Sequence, residues 1–156
     1  MYLGSVNPSV LIISKDAEAL AGLVNQGAPS IDVAIARDAS QARSAYQDQG
    51  VLFGSPDSIA AVLTDMPSVQ WVQSTWAGVT PLLQVNRRDY VLTSIKGVFG
   101  PQMAEYVLGY LLAHELRIVR RLDAQRAHEW WPGESGMLSG KRLGIMGTGS
   151  IGRAIA

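Results

Sequence analysis

Six short runs rich in β-branched and apolar residues, at 9–14, 31–35, 51–53, 71–74, 90–94 and 142–146, punctuate this 156-residue chain. Runs of that length, apolar at nearly every position, fit strands buried on both faces. Segments of helical period lie between them, and strand–helix–strand repetition of this kind argues for a parallel sheet covered by helices on both sides. Residues 16–25 show the helical pattern: Leu20, Leu23 and Val24 share a face, Ser14 can cap the start and Gly27 can close the end.

The pattern changes after Gly100. From Pro101, a residue suited to a first helical position, to about residue 126, only Gly109 interrupts an apolar repeat that includes Ala104, Val107, Leu111, Ile118 and Leu122. The spacing predicts one long helix. Trp130 and Trp131, then Pro132, Gly133 and Gly136, end it and open a loop that reads as the domain junction. No internal repeat or low-complexity tract is present.

Composition narrows the partners. Thirteen Lys and Arg balance thirteen Asp and Glu and are scattered along the chain, so no basic stripe points to nucleic acid or to a charged membrane surface. The apolar runs at 10–13 and 106–113 fall far short of the roughly 20 residues that span a bilayer. With no cysteine there are no disulfides and no thiolate metal sites, which fits a reducing cytoplasm. The expectation is a cytoplasmic protein with no nucleic-acid or membrane partner and no metal.

The stretch MGTGSIGRAIA, residues 146–156, matches G-x-G-x-x-G through Gly147, Gly149 and Gly152. In a chain with sixteen glycines the triplet alone is a weak signal. Its setting strengthens it, because residues 142–146 read as a strand and 151–156 as the opening of a helix with small residues. In such a turn the first glycine permits the tight bend, the second lets backbone N–H groups approach a pyrophosphate, and the third brings helix against strand. The bland alternative is a plain glycine-rich turn.

A second candidate follows the predicted strand 71–74, at a carboxyl strand end where open α/β sheets place ligands. In Ser74-Thr75-Trp76-Ala77-Gly78-Val79, consecutive N–H groups can form a nest that holds an anion without a charged side chain. Alternatively Ala77 and Gly78 make only a tight connection. Trp76 either roofs a small polar substrate or fills core.

Three segments, WVQSTWAGVTPLL, GPQMAEYVLGYLLAHELR and LSGKRLGIMGTGSIGRAIA, together resemble the D-isomer-specific 2-hydroxyacid dehydrogenase family, and most of all its glyoxylate/hydroxypyruvate reductases. The resemblance implies an α/β fold in which a flavodoxin-like substrate lobe, completed by a returning C-terminal segment, accompanies a Rossmann cofactor lobe. It divides the chain into an incomplete substrate lobe at 1–99, a long linker or interface helix and loop at 100–136, and the truncated opening of the NAD(P)-binding lobe at 137–156. The chain is then an N-terminal fragment of an enzyme, with NAD or NADP as cofactor, that reduces a small 2-oxo acid to the 2-hydroxy acid at the expense of NADH or NADPH.

On that resemblance main-chain N–H groups of Ala77 and Gly78 hold the substrate carboxylate, and Met103 touches nicotinamide or substrate. Gly147, Thr148, Gly149, Ser150, Ile151 and Gly152 form the pyrophosphate turn. The family's polarising Arg, general-acid His and supporting Glu come from later sequence, so no catalytic residue is assigned and the chain alone is expected to be inactive. The residue that separates NAD from NADP stands about 20 positions past the turn, beyond Ala156. Residues 137–156 are expected to be frayed or paired with another copy.

Other residues read as structural: His114 and His128, which lack partners at a recognisable spacing; Glu105, in a helix's first turn; and Arg117, Arg120, Arg121 and Arg126, as a solvated face. Two further readings remain, a non-catalytic binding or regulatory module that reuses the flavodoxin-like lobe, and a homodimer piece joined through the long helix and its tryptophans.

Overall fold

The computed structural model describes residues 8–156 and divides into two compact units, one ending at Ile95 and one spanning Lys96–Ala156. The first contains β1 (Ser9–Ile13), α1 (Ala17–Gly27), β2 (Asp32–Ala36), α2 (Ala39–Ala45), β3 (Val51–Gly54), α3 (Pro56–Ala60), a 3₁₀ turn at Leu63–Asp65, β4 (Trp71–Ser74), α4 (Thr80–Gln84) and β5 (Val91–Thr93). All strand pairs are parallel, and their order, β2-β1-β3-β4-β5, is the doubly wound, flavodoxin-like one.

Register sorts the side chains into two layers. Leu11 stands opposite Ala34 and Leu52, and Leu52 opposite Val72, so these residues share a face and pack with Ala42 of α2, Ile59 of α3, Leu63 and Leu82 of α4. The other face carries Val10 and Ile12 against Ala17 of α1, with Leu20, Val24 and Phe53 partly buried around them. Among the described residues of this unit α1 alone covers that second face. Trp71 and Val91 remain exposed there, and an open apolar groove of about 330 Å³ runs past Val24, Val51, Phe53 and Trp71. The expected two-sided cover is therefore complete on one face and partial on the other.

Local details depart from the sequence pattern. Helix α1 begins at Ala17, with Asp16 as N-cap and no side-chain cap; the Ser14 hydroxyl instead accepts the Asp16 N–H at 3.1 Å. Leu23 is exposed while Leu20 and Val24 pack inward. Gly27 lies within the helix and Ala28 is the C-cap.

The second unit contains α5 (Gly100–Glu115), α6 (Ile118–Arg126) and α7 (Ser150–Ile155). The single helix expected over 101–126 is broken, because Arg117 takes a left-handed conformation, φ 55° and ψ 36°. Tertiary bonds meet the carbonyls at the break: the Gly136 N–H donates to Glu115 O at 2.7 Å and Arg121 Nε to Leu116 O at 3.0 Å. Arg121 also donates to Gly133 O and Ser135 Oγ and lies 5.1 Å from the Trp131 ring centroid. It stays exposed, as expected of a solvated face, and also anchors the loop. Since α5 begins at Gly100, Glu105 lies beyond its first turn.

Residues 142–146 form no strand among the described residues. A strand exists only through pairing, and the described residues of this unit supply no neighbour. Leu143 and Met146 are exposed.

Candidate functional site

The loop after β4 is built from the strand end outward. Ser74 is fully buried; its hydroxyl accepts the Trp76 N–H at 3.0 Å and donates to Trp76 O at 2.9 Å. The Thr75 N–H donates to Gly54 O at 2.9 Å, tying the loop to β3. Beyond, the N–H groups of Leu82 and Leu83 return to Val79 O, and buried Leu82 anchors α4 in the core.

Between these anchors Trp76, Ala77 and Gly78 are exposed. No acceptor among the described residues takes the N–H of Ala77 or Gly78. The segment carries no charged side chain, so an anion there would be held by main-chain dipoles alone. Trp76 is 57% exposed, and its ring therefore does not fill the core. On the opposite face of β4, Trp71 Nε1 donates to Thr93 Oγ1 at 2.7 Å. The Thr93 hydroxyl in turn donates to Gln73 Oε1 at 2.6 Å, and Gln73 Nε2 donates to Ser74 O at 2.8 Å. This chain of bonds and the buried Ser74 hydroxyl were absent from the sequence reading. A polar residue closing an apolar strand was the only signal available.

In the second unit the three glycines of the turn have separable roles. Gly147 adopts φ +109°, a conformation that disfavours any side chain. A Cβ on Gly152 would collide with the Gly147 carbonyl oxygen. Gly149, the N-cap of α7, has open space where a Cβ would project. The bend and the helix contact thus require glycine, and the middle position leaves the turn approachable. Arg153 N–H makes the first helical bond, to Gly149 O at 3.0 Å, while the N–H groups of Ser150, Ile151 and Gly152 precede any intrahelical partner. Thr148 lies between the glycines. Met103 is half-buried in α5. His114 and His128 are exposed, His128 with φ 54° just past α6.

The five-stranded parallel order and the glycine turn define a doubly wound α/β protein. No family model matches the chain. A D-isomer specific 2-hydroxyacid dehydrogenase family protein from Aeromonas salmonicida superposes with a TM-score of 0.90 at 33% identity, over 96% of this chain and 49% of that one. A glyoxylate/hydroxypyruvate reductase of Arabidopsis thaliana is 31% identical over 105 residues, 61% of this chain and 31% of that protein. The NADPH-dependent glyoxylate/hydroxypyruvate reductase of Sinorhizobium meliloti, solved with NADP and sulfate, shares the fold, with a TM-score of 0.70 at 21% identity over 95% of this chain and 48% of that one. The chain is similar to the D-isomer specific 2-hydroxyacid dehydrogenases and spans about half the length of the solved structures it matches.

Proposed function

We propose that this chain is one part of an oxidoreductase that reduces a small 2-oxo acid, of the glyoxylate or hydroxypyruvate kind, to its 2-hydroxy acid with NADH or NADPH in the cytoplasm. The observation that supports it most is the 33% identity to the Aeromonas protein across 96% of the chain. Residues 1–99 serve as an incomplete substrate lobe, 100–136 as linker or interface, and 137–156 as the start of the cofactor lobe.

The pyrophosphate rests on residues 147–152, for which the open space at Gly149 leaves room; when bound, the nicotinamide supplies the hydride. The amides of Ala77 and Gly78 hold the substrate carboxylate, Trp76 roofs it, and Met103 touches nicotinamide or substrate. A returning segment of a longer chain covers the bare sheet strip at Trp71. The polarising cation and the proton donor lie outside this chain.

Two results are expected. Calorimetric titration of the chain alone with NADH and NADPH gives affinities weaker than about 1 mM, because one turn and a six-residue helix lack the remaining sheet; micromolar binding would contradict this. A chain that reads on past Ala156 into further βα units oxidises NADH or NADPH when glyoxylate or hydroxypyruvate is added. No turnover with either acid would overturn the assignment.

A homodimer through α5 is proposed alongside. Tyr106, Leu108, Tyr110 and Leu112 are all exposed on that helix, and Trp130 is 91% exposed; a helix apolar around its circumference needs cover. Light scattering should give twice the 16.7 kDa chain mass, and Trp130→Ala should lower it. A wild-type mass of one chain would reject this interface.

A further inference from the structure

We infer that Ser74 is the positioning residue of the loop that receives the substrate carboxylate, an inference that rests on the role proposed for Ala77 and Gly78. A serine hydroxyl offers one donor and two acceptor sites, and Ser74 directs its donor and one acceptor at a single residue, Trp76, bonding both its N–H and its C=O. The bend at 74–76 is thereby closed on itself. The Trp76 N–H is also removed from the set available to an anion, and Ala77 and Gly78 open the run of consecutive amides, continuing through Val79 to the start of α4, that has no acceptor among the described residues.

The strand end that carries this hydroxyl is fixed from its other side as well. Gln73 Nε2 holds the Ser74 carbonyl, Thr93 holds Gln73, and Trp71 holds Thr93. Thr75 is pinned to β3 through Gly54 O. A loop exposed at its tip therefore starts from an over-determined base. Donors that keep their aim before the ligand arrives need no reorganisation on binding, which is the condition under which weak backbone dipoles hold an anion well. In this scheme Ser74 never touches the substrate; it acts through the Trp76 peptide.

The test uses the ¹⁵N-labelled full chain titrated with sodium glyoxylate, with sodium chloride as the ionic control. In the wild type, glyoxylate moves the amide resonances of Ala77 and Gly78. Ser74→Ala should raise the half-saturating glyoxylate concentration about tenfold and speed hydrogen exchange at Trp76, whose N–H loses its acceptor, while the amides of β1 and β3 keep their protection. Ser74→Thr, which retains a hydroxyl, should recover the affinity. If wild type and Ser74→Ala saturate at the same concentration, the role of Ser74 is overturned and the carboxylate loop stands. If glyoxylate leaves the wild-type Ala77 and Gly78 amides unmoved, the carboxylate loop is itself wrong and the role of Ser74 falls with it.

Discussion

Gly54→Ala is expected to lower the stability of the sheet unit by about 3 kcal/mol, a large share of the roughly 5–15 kcal/mol that holds a typical domain folded. Gly54 ends β3 between Ile13 of β1 and Ser74 of β4. A Cβ there would stand 2.5 Å from Ile13 O and 3.3 Å from the Ile13 carbonyl carbon. The obstacle is backbone, which cannot rotate away as a side-chain tip can, so β1 and β3 must separate. Both carry fully buried residues, Leu11, Ile12 and Ile13 on β1 and Leu52 on β3, and any shift disturbs core on both faces. Urea unfolding followed by far-UV circular dichroism reads the loss, and an unchanged midpoint would show that the strands yield at no cost. Because Thr75 hangs from Gly54 O, a folded remnant should also bind glyoxylate more weakly.

Much of the fold was legible because a buried parallel strand announces itself as an uninterrupted apolar run. The run at 71–74 became β4 with the same bounds, and four others became β1, β2, β3 and β5 within a residue or two. The run at 142–146 carries the same signal and forms no strand. An apolar run records a need for burial; whether a neighbouring strand is present to meet it is settled elsewhere in the chain. The break between α5 and α6 was illegible for a related reason. Neither glycine nor proline marks it, and Arg117 turns left-handed where bonds from Gly136 and Arg121 receive the freed carbonyls.

Within the candidate site, glycines were readable and side-chain anchors were not. Gly147 takes the left-handed bend that its place suggested, and Gly152 lies against the Gly147 carbonyl, where no strand forms to make the helix–strand contact expected of it; both are demands on backbone geometry that sequence can only meet with glycine. Ser74 and Arg121 have no such signature. Their roles depend on which carbonyls and amides distant segments bring within reach, and a serine after an apolar run looks the same whether its hydroxyl faces water or closes a turn.

Arg87 is the largest of these hidden anchors, and its removal is the second change expected to be severe. Its guanidinium donates from Nη1 to Leu63 O at 3.0 Å and Met66 O at 2.7 Å, and from Nη2 to Pro67 O at 3.0 Å and Val69 O at 2.8 Å. Nε donates to Asp89 Oδ1 at 2.6 Å, and the cation lies 5.9 Å from the Tyr90 ring centroid. Four carbonyls converge because the chain from the 3₁₀ turn to β4 wraps around one planar cation, whose side chain is only 12% exposed. Hydrogen bonds to a charged donor contribute more than neutral ones, and carbonyls stranded near the buried Met66 and Val69 have no ready replacement, so Arg87→Ala should cost about 3 kcal/mol or more. Arg87→Lys should recover only part of this, since an ammonium cannot reproduce the planar fork.

The salt bridge is a minor share of that loss. Asp89 is mostly exposed, and its carboxyl is held below the usual range chiefly by the hydrogen bond from Arg87. Stability from this shift is present above the ordinary carboxylate pKa and disappears as pH falls through the lowered one, with solvent screening keeping it small. Asp89→Asn should therefore melt close to wild type at neutral pH, and Arg87→Ala far below it. Equal losses in the two variants would mean that the ion pair, rather than the four carbonyls, makes Arg87 indispensable.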